Sequence, residues 1–261
     1  MKKLLMSFLL IFCIGCTFTF LNETNINISA KSTKETIMID AGHGGYDVGA
    51  ESFYGDYEKD INLDIALLVG KQLKSYGYKV VYTRTSDSVS WPSNNKKDLQ
   101  ARCDLAKKKN ADLFVSIHLN SSEYEANGYE IYCDFNNKNT LKVSNSILKQ
   151  LDKLDYSTNR GLLDTNETPL YVVKNNKVDA ILIEAGFISD DSDLYYLKNY
   201  TKNIATAIAK GIKKKSELIR LFILRTEHYT ILHKLHSYSI ILHDFLVLQY
   251  LHVQAQESYP H

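Results

Sequence analysis

A short apolar segment, residues 37–40, constrains the fold of this sequence most, because it leads directly into a glycine-rich turn that contains His43. Short apolar runs that are bounded by turn residues are typical of buried β-strands. Glycine lets the backbone adopt conformations closed to other residues, and it lets a ligand approach closely. A side chain at the end of a strand of an α/β fold lies where binding sites form. The segment therefore predicts a strand, with His43 either a site residue or an incidental residue of a tight turn.

Similar apolar segments recur along the chain and alternate with helical patterns. They predict further strands at residues 79–83, 112–120, 128–133, 170–173 and 180–183. Apolar residues spaced three or four apart predict helices that start at Glu58 and that span residues 98–109, 141–154 and 203–214. Strands that alternate with helices predict an α/β fold, a three-layer sandwich with a mostly parallel central sheet flanked by helices.

Length and charge limit the classes of function. The chain has 261 residues, which allows one large domain or one domain with appendages. The formal net charge is +1 and no long basic run is present, so we expect no nucleic-acid partner. Cys103 and Cys133 fall in a predicted helix and at a predicted strand end, which favours two buried free thiols over a disulfide.

The N-terminus has the pattern of an export signal. Lys2 and Lys3 precede an uncharged apolar run at residues 4–21, and residues 22–36 form a polar linker. The run is close to the length of about 18 residues that spans a bilayer, so an uncleaved anchor is an alternative. Cys16 resembles a lipidated cysteine, which is a third option. We expect an exported protein of the cell envelope or extracellular space, which meets the membrane only through this segment.

The composition changes after the predicted catalytic domain, residues 37–215. The tail, residues 216–261, has no glycine and no asparagine, and it holds six of the 8 histidines. Three interpretations compete: an added helical segment for a partner or a membrane surface, a histidine-rich metal tract, and a non-native reading frame. We expect little tight tertiary packing in this tail.

Four polar residues are placed for chemistry at predicted strand ends or at the start of a helix: His43, Glu58, His118 and Glu184. The carboxyl ends of strands line one crevice in an open α/β sheet, so these residues can converge. Two imidazoles and one carboxylate form a three-ligand zinc site with a position left for water. A further carboxylate then has to take the proton of that water, and Glu184 is the candidate.

Each of the four also has a structural interpretation. His43 could cap its loop, and His118 could bond to the backbone at a strand end. Glu58 could interact with the dipole of its helix. Glu184 could pair with an arginine such as Arg102. Their joint occurrence favours a site, because only these two histidines lie in the predicted domain.

Four motifs around these residues resemble those of the zinc-dependent N-acetylmuramoyl-L-alanine amidases of the amidase-3 type. They are Asp40-Ala41-Gly42-His43-Gly44-Gly45, Glu58-Lys59-Asp60-Ile61-Asn62-Leu63, Ser116-Ile117-His118-Leu119-Asn120-Ser121 and Glu184-Ala185-Gly186-Phe187-Ile188-Ser189. The resemblance implies a sheet of about six strands and one zinc ion held by His43, Glu58 and His118. It implies that Glu184 is catalytic and that Arg84 and Arg102 are structural or order the loops. Ala41, where proline is common, and Asp191, where asparagine is common, depart from the pattern without touching a ligand position.

The resemblance implies cleavage of the amide between N-acetylmuramic acid and L-alanine of peptidoglycan. Two alternatives stay open: a zinc peptidase that cuts within the stem peptide, and a catalytically silent wall-binding relative. No recognisable wall-binding repeat is present in the sequence. We expect a monomer whose partner is peptidoglycan and whose targeting to the wall comes from the catalytic domain, the N-terminal anchor or a partner.

Overall fold

The computed structural model describes residues 34–89, 92, 94–213, 239–241 and 247. The chain divides into two compact units, Met1–Glu35 and Thr36–His261. The predicted export segment, most of the predicted linker and most of the predicted tail lie outside the described residues. Within those residues, no helix combines the length and the apolar character that are needed to cross a membrane.

A six-stranded sheet with the order β2-β1-β3-β6-β4-β5 forms the centre of the second unit. The strands are β1 Thr36–Ala41, β2 Lys79–Tyr82, β3 Leu113–Asn120, β4 Tyr129–Cys133, β5 Asn159–Asp164 and β6 Ala180–Phe187. Every neighbouring pair is parallel except β4 and β6, which are antiparallel. The predicted mostly parallel α/β sheet is thereby confirmed.

Helices connect and flank the strands. They are α1 Glu58–Ser75, α2 Asn95–Lys108, α3 Lys138–Leu151, α4 Tyr171–Lys174, α5 Asp191–Asn199 and α6 at residues 201–213, with a 3₁₀ turn at Asp152–Leu154. The N-terminal capping residue of α2 is Asn94, whose side chain accepts a hydrogen bond from the Lys97 backbone N–H. Asn137 caps α3 and Asp190 caps α5 in the same way.

Two hydrophobic clusters give the molecule its three layers. On one face of the sheet, Ile37 and Ile39 of β1 belong to a cluster that includes α1, α3, α5 and α6. On the other face, Met38 and Phe114 pack with residues of α2 and α4. Alternate residues of a strand face opposite sides, so β1 contributes to both layers. Cys103 and Cys133 are buried free thiols, as predicted.

Four local predictions were wrong or incomplete. The strand predicted at residues 170–173 is the single helical turn α4, whose Val172 and Val173 are buried. The strand β5 was not predicted, because it lies at a sheet edge with exposed or half-buried residues and carries Gly161 in its middle. The short helix α5 was also missed. Finally, β6 continues through Glu184 to Phe187, so Glu184 lies within the strand rather than after it.

Candidate metal centre

The three predicted metal ligands, His43, Glu58 and His118, meet at one point of the structure. His43 Nε2 lies 3.2 Å from Glu58 Oε2, and His118 Nδ1 lies 3.1 Å from Glu58 Oε1. One ligand atom from each residue lies within 4.8 Å of the other two. The glycine turn after β1, the start of α1 and the end of β3 supply these side chains.

This donor set fits a zinc ion. Zinc binds imidazole nitrogen and carboxylate oxygen at distances near 2.0–2.2 Å in a tetrahedral arrangement, so its ligand atoms lie about 3.3 Å from one another. The two histidine nitrogens lie 3.2 and 3.1 Å from different oxygens of Glu58, and one ligand atom of each residue lies within 4.8 Å of the others, so a single ion can reach all three residues. Three protein ligands of this type leave a fourth position for water or substrate, as in catalytic zinc sites.

The carboxylate of Glu58 is buried and fixed in place by three donors. Its Oε1 accepts hydrogen bonds from the Leu119 backbone N–H and from Asn62 Nδ2, both at 3.0 Å. Its Oε2 accepts one from the Ala50 backbone N–H at 3.0 Å. Burial alone would raise its pKa, but hydrogen bonds and the charges of the two histidines outweigh burial and hold the pKa of Glu58 well below its usual range. The carboxylate is therefore ionised and rigid.

His43 is oriented as a ligand by Asp47. A distance of 2.8 Å separates His43 Nδ1 from Asp47 Oδ2. Because a carboxylate accepts, Nδ1 donates to Asp47, and Nε2 is the atom that faces Glu58 and would bind a metal ion, an arrangement common for metal-binding histidines. Burial lowers the pKa of His43, yet the adjacent Glu58 outweighs it and raises this pKa to about 9. The carboxylate of Glu58 thus stabilises positive charge at this site, and a bound cation would supply such a charge.

The turn that presents His43 is held by two buried arginines. His43 adopts a left-handed backbone conformation with φ 58°, which is uncommon for a residue other than glycine. Arg84 donates to the carbonyls of Ala41 and Gly42, and Arg102 donates to those of Ala41 and His43. These contacts confirm the prediction that both arginines order the loop.

Two glycines of the turn leave room for the ligands. A Cβ atom on Gly42 would lie 2.4 Å from the ring of His118. A Cβ atom on Gly49, whose φ is 69°, would lie 2.6 Å from Glu58 Oε2 and 2.7 Å from His43 Cδ2. The glycines of the turn therefore make room for the side chains of the predicted metal ligands, His118, Glu58 and His43.

Glu184 lies beside this triad. It is the register partner of His118 across β3 and β6, whose pairing shifts by one residue immediately afterwards. Its Oε2 atom is buried and has no hydrogen-bond partner among the described residues. Burial, together with the negative charges of Glu58 and Glu130, raises the pKa of Glu184 to about 8.

The structural alternative for Glu184 does not hold. Arg102, its suggested partner, forms ion pairs with Asp40 at 3.0 Å and with Asp98 at 2.9 Å. An ionisable oxygen that is buried without a partner costs free energy, so such a group suggests a role in chemistry. All four predicted site residues therefore converge on one crevice.

Sequence reasoning missed several polar residues around the site. Asp47 supports His43, and Glu130 of β4, the strand next to Glu184, forms an ion pair of 2.7 Å with Arg160 of β5. Asp40 is fully buried at the end of β1, where Thr83 Oγ1 and Ser116 Oγ each donate to it at 2.7 Å. Asp47, four residues after His43, could have been found from its spacing. Glu130 and Arg160 could not, because the strand of Arg160 was not predicted.

Comparisons with known proteins agree with the geometry. A family model described as N-acetylmuramoyl-L-alanine amidase matches residues 37–214. The uncharacterized protein YqiI of Bacillus subtilis is 36% identical over 182 residues, which cover 68% of this chain and 83% of YqiI. The N-acetylmuramoyl-L-alanine amidase LytC of the same organism is 35% identical over 182 residues, but the match spans only 34% of LytC.

Solved structures of amidases share the fold. The N-acetylmuramoyl-L-alanine amidase AmiC2 of Nostoc punctiforme superimposes with a TM-score of 0.63 at 31% identity, over 71% of this chain and 99% of that protein. The motifs, the sheet and the matched residues all coincide with the domain that contains the four site residues. The chain therefore belongs to the N-acetylmuramoyl-L-alanine amidase family of enzymes.

Proposed function

We propose that the chain is a zinc hydrolase that cleaves the amide bond between N-acetylmuramic acid and L-alanine of peptidoglycan. In this proposal His43, Glu58 and His118 hold the zinc ion and Glu184 is the catalytic residue. The observation that supports it best is a buried, unpartnered carboxylate oxygen beside a three-residue zinc-type donor set. The family match supports a peptidoglycan amidase.

When bound, a zinc ion at these ligands supplies Lewis acidity, which polarises the scissile carbonyl and lowers the pKa of a water molecule to about 7. Glu58 and His118 provide two of its ligand atoms from rigid elements, the start of α1 and the end of β3. Asp47 accepts a hydrogen bond from His43 Nδ1, which leaves Nε2 as the nitrogen that would bind the ion.

Glu184 moves the proton. Its free Oε2 accepts a proton from the attacking water while the water oxygen bonds to the carbonyl carbon. The protonated carboxyl then donates this proton to the nitrogen of L-alanine as the carbon–nitrogen bond breaks. A carboxyl with a raised pKa suits both steps, because general acid–base catalysis is most efficient when the pKa lies near the working pH.

A charge-neutral substitution separates catalysis from metal binding. We expect Glu184→Gln to keep stoichiometric zinc but to lose at least about a hundredfold in the rate of amide cleavage, because the proton acceptor is gone. The measurement is the appearance of new L-alanine amino termini from purified peptidoglycan. Glu167→Gln is the matched control, since Glu167 is exposed in the loop after β5.

Substitution of a metal ligand should remove the zinc as well as the activity. We expect His118→Ala to lose zinc after gel filtration, as measured by elemental analysis, together with activity. Full activity in Glu184→Gln, or retained zinc in His118→Ala, contradicts the assigned roles.

We also propose that the enzyme acts outside the cytoplasmic membrane, where peptidoglycan lies. Support comes from the sequence of residues 1–21, a positive start followed by an apolar run. Fractionation of cells that produce the chain tests this, and enzyme found only in the cytoplasmic fraction would contradict it.

A further inference from the structure

A row of polar side chains continues from the metal centre across the sheet. His118 of β3 is the register partner of Glu184 of β6, and Glu184 is the register partner of Glu130 of β4. Neighbouring strands lie about 4.8 Å apart, and register partners face the same side. The row of polar side chains therefore runs from the triad past Glu184 to Glu130 of β4, which contacts Arg160 of β5.

Glu130 does not have the free oxygen that Glu184 has. It is 4% exposed, and its Oε1 accepts hydrogen bonds from Asn120 Nδ2 at 2.9 Å and from Tyr132 Oη at 3.0 Å. Its Oε2 accepts from Arg160 Nε at 2.7 Å. A buried carboxylate with this many donors is held in one position and serves as an anchor. What it anchors is the guanidinium of Arg160.

Arg160 is directed by a β-bulge. Tyr129 pairs with Asn159 and Glu130 pairs with Gly161, so Arg160 is an extra residue between two register pairs of β4 and β5. Bulges of this kind occur next to active sites, where they redirect a side chain.

The guanidinium of Arg160 is fixed on one side and open on the other. Its Nε bonds to Glu130, its Cζ lies 5.1 Å from the ring centroid of Phe187, and its Nη1 is 3.5 Å from the carbonyl oxygen of Asn127. Its Nη2 has no hydrogen-bond partner within the described part of the chain, and 40% of the side chain is exposed. A guanidinium offers paired N–H donors that match a carboxylate.

We propose that Arg160 forms a specificity subsite that binds a carboxylate of the peptide part of the substrate, namely the α-carboxylate of the second residue of the stem peptide. This proposal rests on the proposed function, because it takes Glu184 as the position of the L-alanine nitrogen. Residues of β5 lie two strand spacings, about 10 Å, from Glu184. Two residues of extended peptide span about 7 Å, so the arginine side chain closes the remaining distance. The peptide then lies over β6, β4 and β5, and the glycan lies towards the turn of His43.

The test compares two preparations of one peptidoglycan, in which the α-carboxylate of the second stem residue is either free or amidated. The readout is kcat/KM for the release of L-alanine amino termini by the zinc-loaded full chain. We expect about a tenfold preference of the wild type for the free carboxylate, the effect of one partly exposed charged hydrogen bond. Arg160→Gln should reduce this preference to about one by raising KM for the free acid alone, with kcat nearly unchanged.

Two further variants guard against a folding defect. Replacing both Glu130 and Arg160 with Gln removes the ion pair without leaving one charge buried, and it should also lose the preference. Lys107→Gln, a loss of one exposed positive charge at the end of α2, should keep it.

The outcomes separate the two proposals. Equal kcat/KM of the wild type for both preparations overturns the subsite while the proposed function stands. An Arg160→Gln variant that keeps the preference, or that slows both substrates equally, also overturns it. Release of no L-alanine termini from either preparation by the wild type overturns the proposed function, and the subsite with it.

Discussion

Glu184 is buried without a hydrogen-bond partner for its Oε2 among the described residues, which destabilises the fold, and its proposed role is catalysis. Burial and the negative charges of Glu58 and Glu130 raise its pKa, whereas the similarly buried Asp40 has donors from Thr83, Ser116 and Arg102. For Asp40, these groups outweigh burial and keep its pKa below the usual range. Two carboxylates of one fold are thus set to different protonation behaviour by their partners, and the one without partners is the candidate catalyst.

In the metal-free protein, the buried Glu184 should lower the free energy of unfolding by an amount that depends on pH. The folded pKa of Glu184 is about 8, above its ordinary value of 4.5. At a pH below both values the group is protonated in both states and has no effect. As the pH rises between them, the unfolded chain releases the proton and the folded chain retains it, so stability falls with pH.

Glu184→Gln should remove that cost. In the presence of a chelator, we expect the variant to have a higher free energy of unfolding than the wild type at pH 8. This difference between variant and wild type should be larger at pH 8 than at pH 5 by on the order of 1–2 kcal/mol. Urea denaturation at the two pH values measures this difference. The same difference at both pH values would show that Glu184 does not retain its proton in the folded chain.

The glycine turn after β1 shows how one connecting element builds the site. It places His43 in a strained conformation, brings Gly42 against His118 and brings Gly49 against Glu58. Such contacts cannot be inferred from the sequence, because they depend on where β3 and α1 meet the turn. What the sequence does predict is that a glycine-rich turn at a strand end approaches something closely.

Gly49→Ala should damage the metal site more than the fold. The added methyl group collides with Glu58 and His43, so we expect zinc affinity to fall at least about tenfold. Gly77→Ala is the matched control, because Gly77 also has a positive φ, of 92°, but an added Cβ meets nothing within 4 Å. That control should lose about 1 kcal/mol of stability and no zinc affinity. Equal zinc affinity of the two variants, by competition with a chromogenic chelator, contradicts this account.

The other elements show where prediction from sequence succeeded and failed. Strongly apolar strands such as β3 and β6 were found, because a run of buried residues is visible without knowledge of neighbours. The edge strand β5 was not found, since it is half exposed and interrupted by Gly161. Two β-branched valines suggested a strand where α4 forms, because packing against the sheet outweighs their local preference. Because β5 was not predicted, Arg160 and its ion pair with Glu130 were not predicted either.

The whole domain assembles a site whose ligands come from distant parts of the chain. His43, Glu58 and His118 span 76 positions from first to last, so the metal centre exists only when β1, α1 and β3 are packed together. The unfolded chain has no such cluster. Zinc should therefore bind the folded state selectively and stabilise it.

Thermal unfolding measures this linkage. At a zinc concentration about a hundred times the Kd, we expect a gain near 2.7 kcal/mol, or an increase in Tm of about 5–10 °C. His118→Ala should show almost no increase, and Glu184→Gln should show one at least as large as the wild type. A zinc-induced increase that survives in His118→Ala would place the bound zinc elsewhere in the chain.

We propose that a zinc ion held by His43, Glu58 and His118 serves to cut the bond between N-acetylmuramic acid and L-alanine. Mass spectrometry of the products released from purified peptidoglycan by the zinc-loaded chain tests it most directly. We expect intact stem peptides that begin with L-alanine and glycan strands that retain every lactyl group. Peptides that begin at a later residue would identify a stem-peptide peptidase instead, and no product above that of Glu184→Gln would contradict catalysis at this site.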